Sequence, residues 1–216
     1  MDTAGLKSHP KTRQPQRVET AAGAADALGD EALLGRRKLG LICSQKCPGD
    51  VILKTYDFAR LVRDSGIAVV SGFHSAIEKD CLPILLRGPD PIIIVRAHRL
   101  SVTRLPREWQ KAIDGGRLLL LSPFREKDKR VTAQLAAERN RFVAAISHEV
   151  LIPYAAPGSK TEALFRELTA SGKRVYTFEG PANTTMVSAG AVAIVPEFFA
   201  SRSAIVSTSE SPYGKG

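Results

Sequence analysis

The chain has 216 residues, 44% of them hydrophobic, with a formal net charge of +9 and a pI near 9.7. This suits one domain with a real core, and the charge favours an anionic partner such as nucleic acid or a nucleotide over a membrane surface, an unspecialised basic surface being the alternative. Because three cysteines cannot form a disulfide framework, no apolar run reaches the ~18 residues of a membrane span and no signal-peptide core is present, we expect a cytoplasmic protein.

Both ends of the chain lack a sustained hydrophobic period. Residues 1–35 are rich in Ala, Gly, Thr and charge, so we predict a largely disordered segment with at most a short helix over 24–34. Residues 201–216 are predicted to be a flexible tail. The folded domain is therefore expected over residues 36–200.

Between these ends, short apolar segments alternate with segments of helical period. The predicted strands are 39–43, 68–70, 92–95, 118–121, 150–152, 175–178 and 191–194. The predicted helices are 51–65, 76–86, 107–114, 131–147, 161–171 and 184–189. Such alternation is typical of an α/β fold, and we predict a Rossmann-like, doubly wound, mostly parallel sheet with helices on both faces. Its ligand is expected beyond the carboxyl ends of the strands.

The loop after the first predicted strand reads Ser44-Gln45-Lys46-Cys47-Pro48-Gly49. It contains no G-x-G-x-x-G, so the usual dinucleotide fingerprint is missing, but Lys46 is expected to bring positive charge to the ligand edge. Cys43 and Cys47 lack the spacing of a zinc pair, and no second Cys/His pair lies nearby in sequence. We interpret them as buried or inert thiols and predict neither a metal site nor a cofactor.

The second predicted strand ends at Ser71-Gly72, and a helix follows. A hydroxyl and a glycine at this place would let a ligand approach the backbone closely. Val69 stands where a G-x-S-x-G motif needs its first glycine, so a hydrolase nucleophile elbow is not expected. Ser71 and Gly72 are therefore predicted to belong to a binding site.

Segment 131–147 carries charges close to its apolar face. Projected at about 100° per residue, the face consists of Val131, Leu135, Phe142 and Ile146. Glu138 falls inside this face, Arg139 and Arg141 on its borders, and Asn140 opposite. Such intrusions concentrate at functional sites, and arginine suits phosphate, so we predict that Arg139, Asn140 and Arg141 bind phosphate. Two alternatives stay open: the helix begins only near Glu138, or Glu138 simply pairs with an arginine.

The turn Gly158-Ser159-Lys160-Thr161 begins a helix directly after a predicted strand. Free backbone N–H groups and the positive end of a helix dipole suit an anion, so all four residues are predicted to bind phosphate. The turn is not a P-loop, because Tyr154 replaces the first glycine of that motif and Ser159 replaces the glycine before the lysine. An ATPase is thereby excluded, and an ordinary capped helix is the alternative.

Together these motifs resemble the Rossmann-like domain of the DNA-processing protein DprA (Smf) family, within the SLOG superfamily. Ser71-Gly72-Phe73-His74-Ser75-Ala76-Ile77-Glu78 is similar to its S-G-x-A-R-G-I-D block, and Arg139-Asn140-Arg141 with the six residues that follow is similar to its R-N-R-x-I-A-x-L-S block. Gly158-Ser159-Lys160-Thr161 occupies the place of S-G-[ST]-x-x-T-A, and the loop with Lys46 that of G-[ST]-R. The similarity covers roughly residues 38–195.

The resemblance implies a protein without enzymatic activity that binds single-stranded DNA, loads a RecA-type recombinase in natural transformation, and forms homodimers. Ser75 replaces the arginine of the family's block, and Ser44-Gln45 replaces its Gly-Ser/Thr. We also expect a single-domain member without the winged-helix-like domain that many relatives carry. Because aromatic content is only 6%, base stacking is expected to be minor, with Tyr154 as the best candidate.

Two other functions of the same superfamily stay open. One is a LOG-type nucleoside-monophosphate phosphoribohydrolase, whose P-G-G-x-G-T-x-E-E motif is poorly matched here and for which only Glu162 offers a carboxylate. The other is a sensor that binds a nucleotide or nucleotide derivative without converting it. The high positive charge and the Arg-Asn-Arg block favour DNA.

Overall fold

The computed structural model describes residues 14–100, 105–125 and 132–199. The strands are Gln16–Thr20 (β1), Gly23–Gly29 (β2), Lys38–Leu41 (β3), Ala68–Ser71 (β4), Ile92–Val95 (β5), Leu118–Ser122 (β6), Glu149–Leu151 (β7), Val175–Phe178 (β8) and Val192–Ile194 (β9). The helices are Gly49–Val62 (α1), Ala76–Leu86 (α2), Arg107–Asp114 (α3), Ala133–Ile146 (α4), Lys160–Ala170 (α5) and Thr184–Ser188 (α6), and short 3-10 helices span Glu31–Gly35 and Pro181–Asn183. Within these ranges, no helix combines the length and the apolar character needed to cross a membrane.

All nine strands form one sheet in the order β1-β2-β6-β5-β4-β3-β7-β8-β9. The strands from β3 onward pair in parallel, whereas β1 and β2 pair antiparallel with each other and β2 pairs antiparallel with β6. The predicted Rossmann-like, mostly parallel α/β fold is confirmed.

Helices cover both faces of the sheet, and each face has its own apolar core. Ile92 and Ile94 of β5 pack with α1, α2 and α3, whereas Ile93 and Val95 pack with α4, α5 and α6. Successive side chains of a strand point to opposite faces, so a strand covered on both sides is apolar at every position. This burial explains why the strands read as continuous apolar runs.

The chain reverses its direction of travel across the sheet at β3. From β3 it proceeds through β4 and β5 to β6, and α4 then returns it to β7 on the other side of β3. The loops that follow β3 and β7 therefore diverge and leave a crevice beyond the carboxyl ends of these two strands. In doubly wound folds this switch point is where ligands bind.

For residues 14–35 the prediction of disorder is wrong, and the short helix predicted over 24–34 is matched only by the 3-10 helix Glu31–Gly35, since β2 occupies the earlier part. Val18, Ala25 and Ala27 are buried in the core beneath α4, and β2 extends the sheet by pairing with β6. Alanine has weak strand propensity, and the pairing with β6 depends on residues about 90 positions away, so tertiary contacts decide the conformation. Residues 1–13 and the predicted tail at 201–216 lie outside the described residues.

The predicted orientation of α4 is wrong by one position. The buried stripe consists of Arg139, Phe142, Val143 and Ile146, whereas Glu138 is exposed and accepts a hydrogen bond from Gln134. The helix begins at Ala133 because the Thr132 side chain accepts from the N–H of Leu135, and Val131 lies outside the described residues. Arg139, not Glu138, therefore occupies the inward face.

Candidate nucleic-acid interface

A cavity of about 910 Å³ opens at the switch point, beyond the carboxyl ends of β3 and β7. The loop after β3, the start of α2 and the first halves of α4 and α5 surround it. Three helix N-termini thus face one space, and each presents the positive end of its dipole there. The predicted site residues in its wall are Lys46, Arg139, Asn140, Arg141, Ser159, Lys160 and Thr161.

Gly72 gives Arg139 its position. A Cβ atom at Gly72 would lie 2.3 Å from Nε and 2.4 Å from Cζ of Arg139, so only glycine lets the guanidinium lie on this backbone. Ser71 shapes the same turn, because its Oγ accepts from the N–H of Phe73 at 3.0 Å while Phe73 adopts a φ of 46°. Ser71 and Gly72 therefore lie behind the cavity wall and support it.

Arg139 is only 4% exposed, yet no carboxylate of the described residues lies within ion-pair distance. Nε and Nη2 donate to Oδ1 of Asn140 at 3.1 and 2.8 Å, which fixes the plane of the guanidinium. Nη1 has no acceptor in the described part of the chain. Burial lowers the pKa of Arg139, the nearby Glu78 raises it, and Arg96 lowers it.

Arg96 is a second arginine near this site, and sequence reasoning missed it. It directly follows β5, its guanidinium lies 5.7 Å from the centre of the Trp109 ring, and Nη2 is 2.9 Å from Nε2 of His98. Burial lowers the pKa of Arg96. Its position directly after an apolar strand was the available signal, since such positions reach the ligand edge of the sheet.

The start of α5 has fewer free groups for binding phosphate than the prediction of four binding residues implied. Gly158 donates its N–H to the Glu162 carboxylate at 2.7 Å, and the Ser159 hydroxyl caps the helix by accepting from the N–H of Glu162 at 3.1 Å. The backbone N–H groups of Lys160 and Thr161 keep no acceptor among the described residues. Lys46 and Lys160 are exposed side chains in the wall and can follow a ligand.

Ser44 connects the two loops that border the crevice. Its Oγ accepts from the N–H of Ala156 at 2.9 Å and lies 3.3 Å from the Ser159 Oγ, while its own N–H donates to the Tyr154 carbonyl at 3.1 Å. The Tyr154 ring packs against the core beneath α1 and α2 and is not in the cavity wall. This packing argues against the expected role of Tyr154 in base stacking.

Arg141 lies in the wall but already has a partner. Its Nε and Nη2 donate to the two carboxylate oxygens of Glu167, both at 2.8 Å, in a parallel bidentate pair between α4 and α5. This hydrogen bonding lowers the pKa of Glu167 and raises that of Arg141. Arg139 and Arg141 therefore differ sharply, although two positions separate them.

Glu78 is the main feature that sequence reasoning missed. Its carboxylate is 2% exposed and accepts from the backbone N–H groups of Cys43 at 2.8 Å, His74 at 2.9 Å and Ser75 at 3.3 Å. The Ser75 hydroxyl accepts in return from the N–H of Glu78, which completes a capping box. The S-x-x-E spacing was the available signal. Ser75, at the family's arginine position, thus serves as a helix cap.

Cys43, which lines the cavity, and Cys47 of the β3 loop interact with each other. A hydrogen bond with Cys47, followed by burial, raises the pKa of Cys43. The same hydrogen bond lowers the pKa of Cys47, which is partly exposed. Within the three described ranges, no group of three or more His, Cys, Asp and Glu side chains could hold a metal ion.

Comparison with known proteins gives one family for most of the chain. Residues 13–207 match the model of a family described as DNA recombination-mediator protein A. No curated protein sequence matches the chain significantly.

Solved structures with the same fold include two DNA processing proteins A. The protein from Helicobacter pylori is 20% identical with a TM-score of 0.70, and the match covers 88% of this chain and 95% of that one. The protein from Streptococcus pneumoniae is 17% identical with a TM-score of 0.68, and the match covers 84% of this chain but only 66% of that one. The molybdenum cofactor carrier protein of Chlamydomonas reinhardtii is more distant, with 13% identity, a TM-score of 0.52 and coverage of 80% and 99%.

Proposed function

The chain belongs to the DNA recombination-mediator protein A family, and on this premise we propose that it binds single-stranded DNA in DNA processing and recombination. The Helicobacter pylori relative is described as having a single-stranded DNA binding mode. Here the DNA would occupy the cavity at the switch point, with its phosphates on the side formed by α4 and α5. No bond of the DNA is broken or formed in this role.

The observation that carries the proposal is the state of Arg139. A charged group that is buried without an ionic partner costs several kcal/mol, and proteins rarely keep one unless a ligand completes it. Gly72 and Asn140 hold the guanidinium with Nη1 free of described acceptors. A phosphate diester supplies two non-bridging oxygens that share one negative charge, and they match the planar fork of arginine.

Neighbouring groups extend the same phosphate surface. Lys46 and Lys160 carry mobile positive charges at the cavity, and the N–H groups of Lys160 and Thr161 add fixed donors at a helix start. On α4, Ala133, Ala136 and Ala137 line the wall with small apolar side chains. A sugar or base would pack there without stacking on an aromatic ring, so phosphate contacts would dominate the affinity.

Fluorescence anisotropy with a labelled thymidine dodecamer over a potassium chloride series tests this proposal. We expect the logarithm of the affinity to fall linearly with the logarithm of salt concentration, with about 0.7 in slope for each phosphate contacted. Arg139→Ala should weaken binding about 10- to 100-fold, since a charge-assisted contact is worth about 1.5–3 kcal/mol. Arg60→Ala removes an exposed arginine of α1 and serves as the matched control. Absence of binding at low salt, or equal affinities for the two variants, would refute the proposal.

The phosphoribohydrolase alternative gains little support. The Glu162 carboxylate is occupied by the N–H of Gly158 and by Arg166, which lies 2.9 Å away. These contacts also lower the pKa of Glu162, the Arg166 hydrogen bond most strongly, which opposes a role as general acid. Incubation with adenosine monophosphate and chromatography for released adenine distinguishes the two functions. Turnover that disappears in Glu162→Ala would favour the enzyme.

We further propose, from the family resemblance, that the protein acts in the cytoplasm, forms homodimers and loads a RecA-type recombinase onto the bound strand. Light scattering after size-exclusion chromatography measures the dimer. A recombinase filament assay on DNA coated with single-strand-binding protein measures the loading. A monomeric mass at all concentrations, or unchanged filament assembly, would refute the corresponding part.

A further inference from the structure

A second charged hollow lies at the opposite end of the sheet from the cavity. It has a volume of about 670 Å³, and it lies at the amino ends of β3, β7 and β8. We call it the amino-end hollow, and its charged or titratable lining residues are Arg37, His148, Glu149, Lys173 and Arg174. None of them lines the cavity described above.

Positive charge exceeds negative charge in the amino-end hollow. Arg37, Lys173 and Arg174 provide three cations against the single carboxylate of Glu149, a surplus of two. Glu149 accepts from Arg37 Nη2 at 2.7 Å and from the Tyr176 hydroxyl at 2.9 Å, and Arg174 Nη1 lies 3.6 Å away. The carboxylate therefore positions both arginines without neutralising the group. The side chains of Arg37 and Arg174 remain 34% and 60% exposed, so a ligand can reach them.

His148 and Lys173 complete the set of donors. The N–H of Lys38 donates to Nδ1 of His148 at 3.1 Å, so the neutral imidazole carries its proton on Nε2 and can donate from there. Burial lowers the pKa of His148 most strongly, and the positive charges of Lys38, Lys173 and Arg37 lower it further. Glu149 acts in the opposite direction but does not offset them. The ammonium group of Lys173 donates to the carbonyl of Ser147, which holds it beside the end of α4.

Two helices run from one site to the other. α4 and α5 both begin at the cavity, and their C-caps, Ser147 and Ser171, each directly precede a lining residue of the amino-end hollow. α5 has 11 residues and is therefore about 16 Å long, a distance that the backbone of an extended single strand spans within a few nucleotides. A strand that leaves the cavity along this helix pair would carry its next phosphates to the hollow.

We propose that the amino-end hollow is a second phosphate site, which takes a backbone phosphate of the same strand that occupies the cavity. The site takes phosphate through the guanidinium groups of Arg37 and Arg174, the ammonium group of Lys173 and Nε2–H of His148. This inference rests on the proposed binding of single-stranded DNA. Free inorganic phosphate offers the same chemistry, and the experiments below separate the two sources.

The first experiment compares short and long oligonucleotides by anisotropy. A thymidine trinucleotide spans only the cavity, so Lys173→Ala/Arg174→Ala should leave its affinity unchanged. A thymidine dodecamer reaches both sites, so the same variant should bind it about tenfold more weakly, with a salt slope reduced by about 0.7 for each phosphate lost. Arg60→Ala/Lys111→Ala removes two exposed charges from the other face as the matched control. Equal dodecamer affinities for the variant and this control would overturn the DNA assignment.

The second experiment does not depend on DNA binding. Inorganic phosphate is titrated into the full-length chain while the pKa of His148 is followed by NMR. An anion in the hollow favours the imidazolium, so we expect the pKa of His148 to rise, with at least a threefold weaker response in Lys173→Ala/Arg174→Ala. An unchanged His148 signal would overturn the phosphate site itself. If the wild type responds to phosphate but binds no oligonucleotide, the proposed function fails while the site stands as one for free phosphate.

Discussion

The starts of α2 and α5 face the same cavity with nearly the same sequence pattern, a serine followed three positions later by a glutamate. At α2, Glu78 turns inward and accepts three backbone N–H groups, and its buried negative charge disfavours an anion on this side of the cavity, which we call the closed side. At α5, Glu162 turns outward to Arg166 and takes only the N–H of Gly158. We call this the open side, because Lys160 and Thr161 line the cavity there and their N–H groups have no acceptor among the described residues.

The difference shows that a capping motif alone does not tell whether a helix start binds a ligand. Whether a helix start can bind an anion depends on its glutamate. The glutamate carboxylate is either buried against the backbone N–H groups, as at α2, or held away from the cavity by a cation, as at α5. At α2, Glu78 is 2% exposed and has no cation within ion-pair distance among the described residues, whereas at α5 Arg166 lies 2.9 Å from Glu162. Four substitutions test this contrast, beginning with the largest expected effect.

Glu78→Ala should destabilise the fold by about 3 kcal/mol, because it leaves two buried N–H groups and one partly buried N–H group without an acceptor. Urea unfolding followed by circular dichroism measures the change. Glu78→Gln keeps part of the hydrogen bonding and removes the charge, so it should cost less stability and bind DNA more tightly. A Glu78→Ala protein as stable as the wild type would show that the closed side is not structural.

Gly72→Ala should weaken DNA binding about tenfold or more, although Gly72 lies behind the wall. The new Cβ would need the space of the Arg139 guanidinium, which lies 2.3 Å from that position. Anisotropy measures the affinity, and Gly49→Ala is a control because a Cβ there meets nothing within 4 Å and Gly49 lines neither the cavity nor the amino-end hollow. Unchanged binding would mean that the orientation of Arg139 is irrelevant.

Lys160→Ala on the open side should weaken binding about threefold and lower the salt slope by about 0.7, as expected for one phosphate contact. Lys79→Ala removes an exposed lysine of α2 on the closed side, and we expect it to change affinity by less than about twofold. Anisotropy over a salt series compares the two. Equal losses would show that the two sides do not differ in their contact with DNA.

Glu162→Gln is expected to have the smallest effect. It removes a negative charge from the open side, so binding should tighten by about twofold or less at low salt and should not change at high salt. The Arg166 hydrogen bond holds the pKa of Glu162 below its usual value, so the carboxylate is charged at neutral pH, and the difference from wild type should vanish as the pH falls through this folded-state pKa. A tightening that persists at high salt would contradict this electrostatic explanation.

Much of the fold could be predicted from the sequence, because the buried strands of a parallel sheet appear as short apolar runs. The structure reproduces the predicted limits of β5, β8, α2 and α3. The hairpin β1–β2 was not readable, since its small alanines become strand only by pairing with β6. Local patterns favour what neighbours in sequence can stabilise, and this segment is stabilised by distant ones.

Most residues of the candidate site could be predicted from the sequence, but their contacts could not. Seven of the ten predicted residues line the cavity. The sequence did not show, however, which of Arg139 and Arg141 has a carboxylate partner and which has none among the described residues. Arg141 is compensated by Glu167, which lies 26 residues further on, whereas Arg139 is buried by a glycine 67 residues earlier. Whether these residues contact a nucleic acid stays a prediction.

The bond between the Ser44 Oγ and the N–H of Ala156 joins residues 112 positions apart. Closing so long a segment is entropically costly, and folds dominated by such contacts form slowly. During synthesis the cavity cannot exist until the ribosome has released the chain beyond β7. A nascent chain that ends between α4 and α5 carries the arginine motif without its pocket, so the protein acquires its ligand site only after α5 has been made.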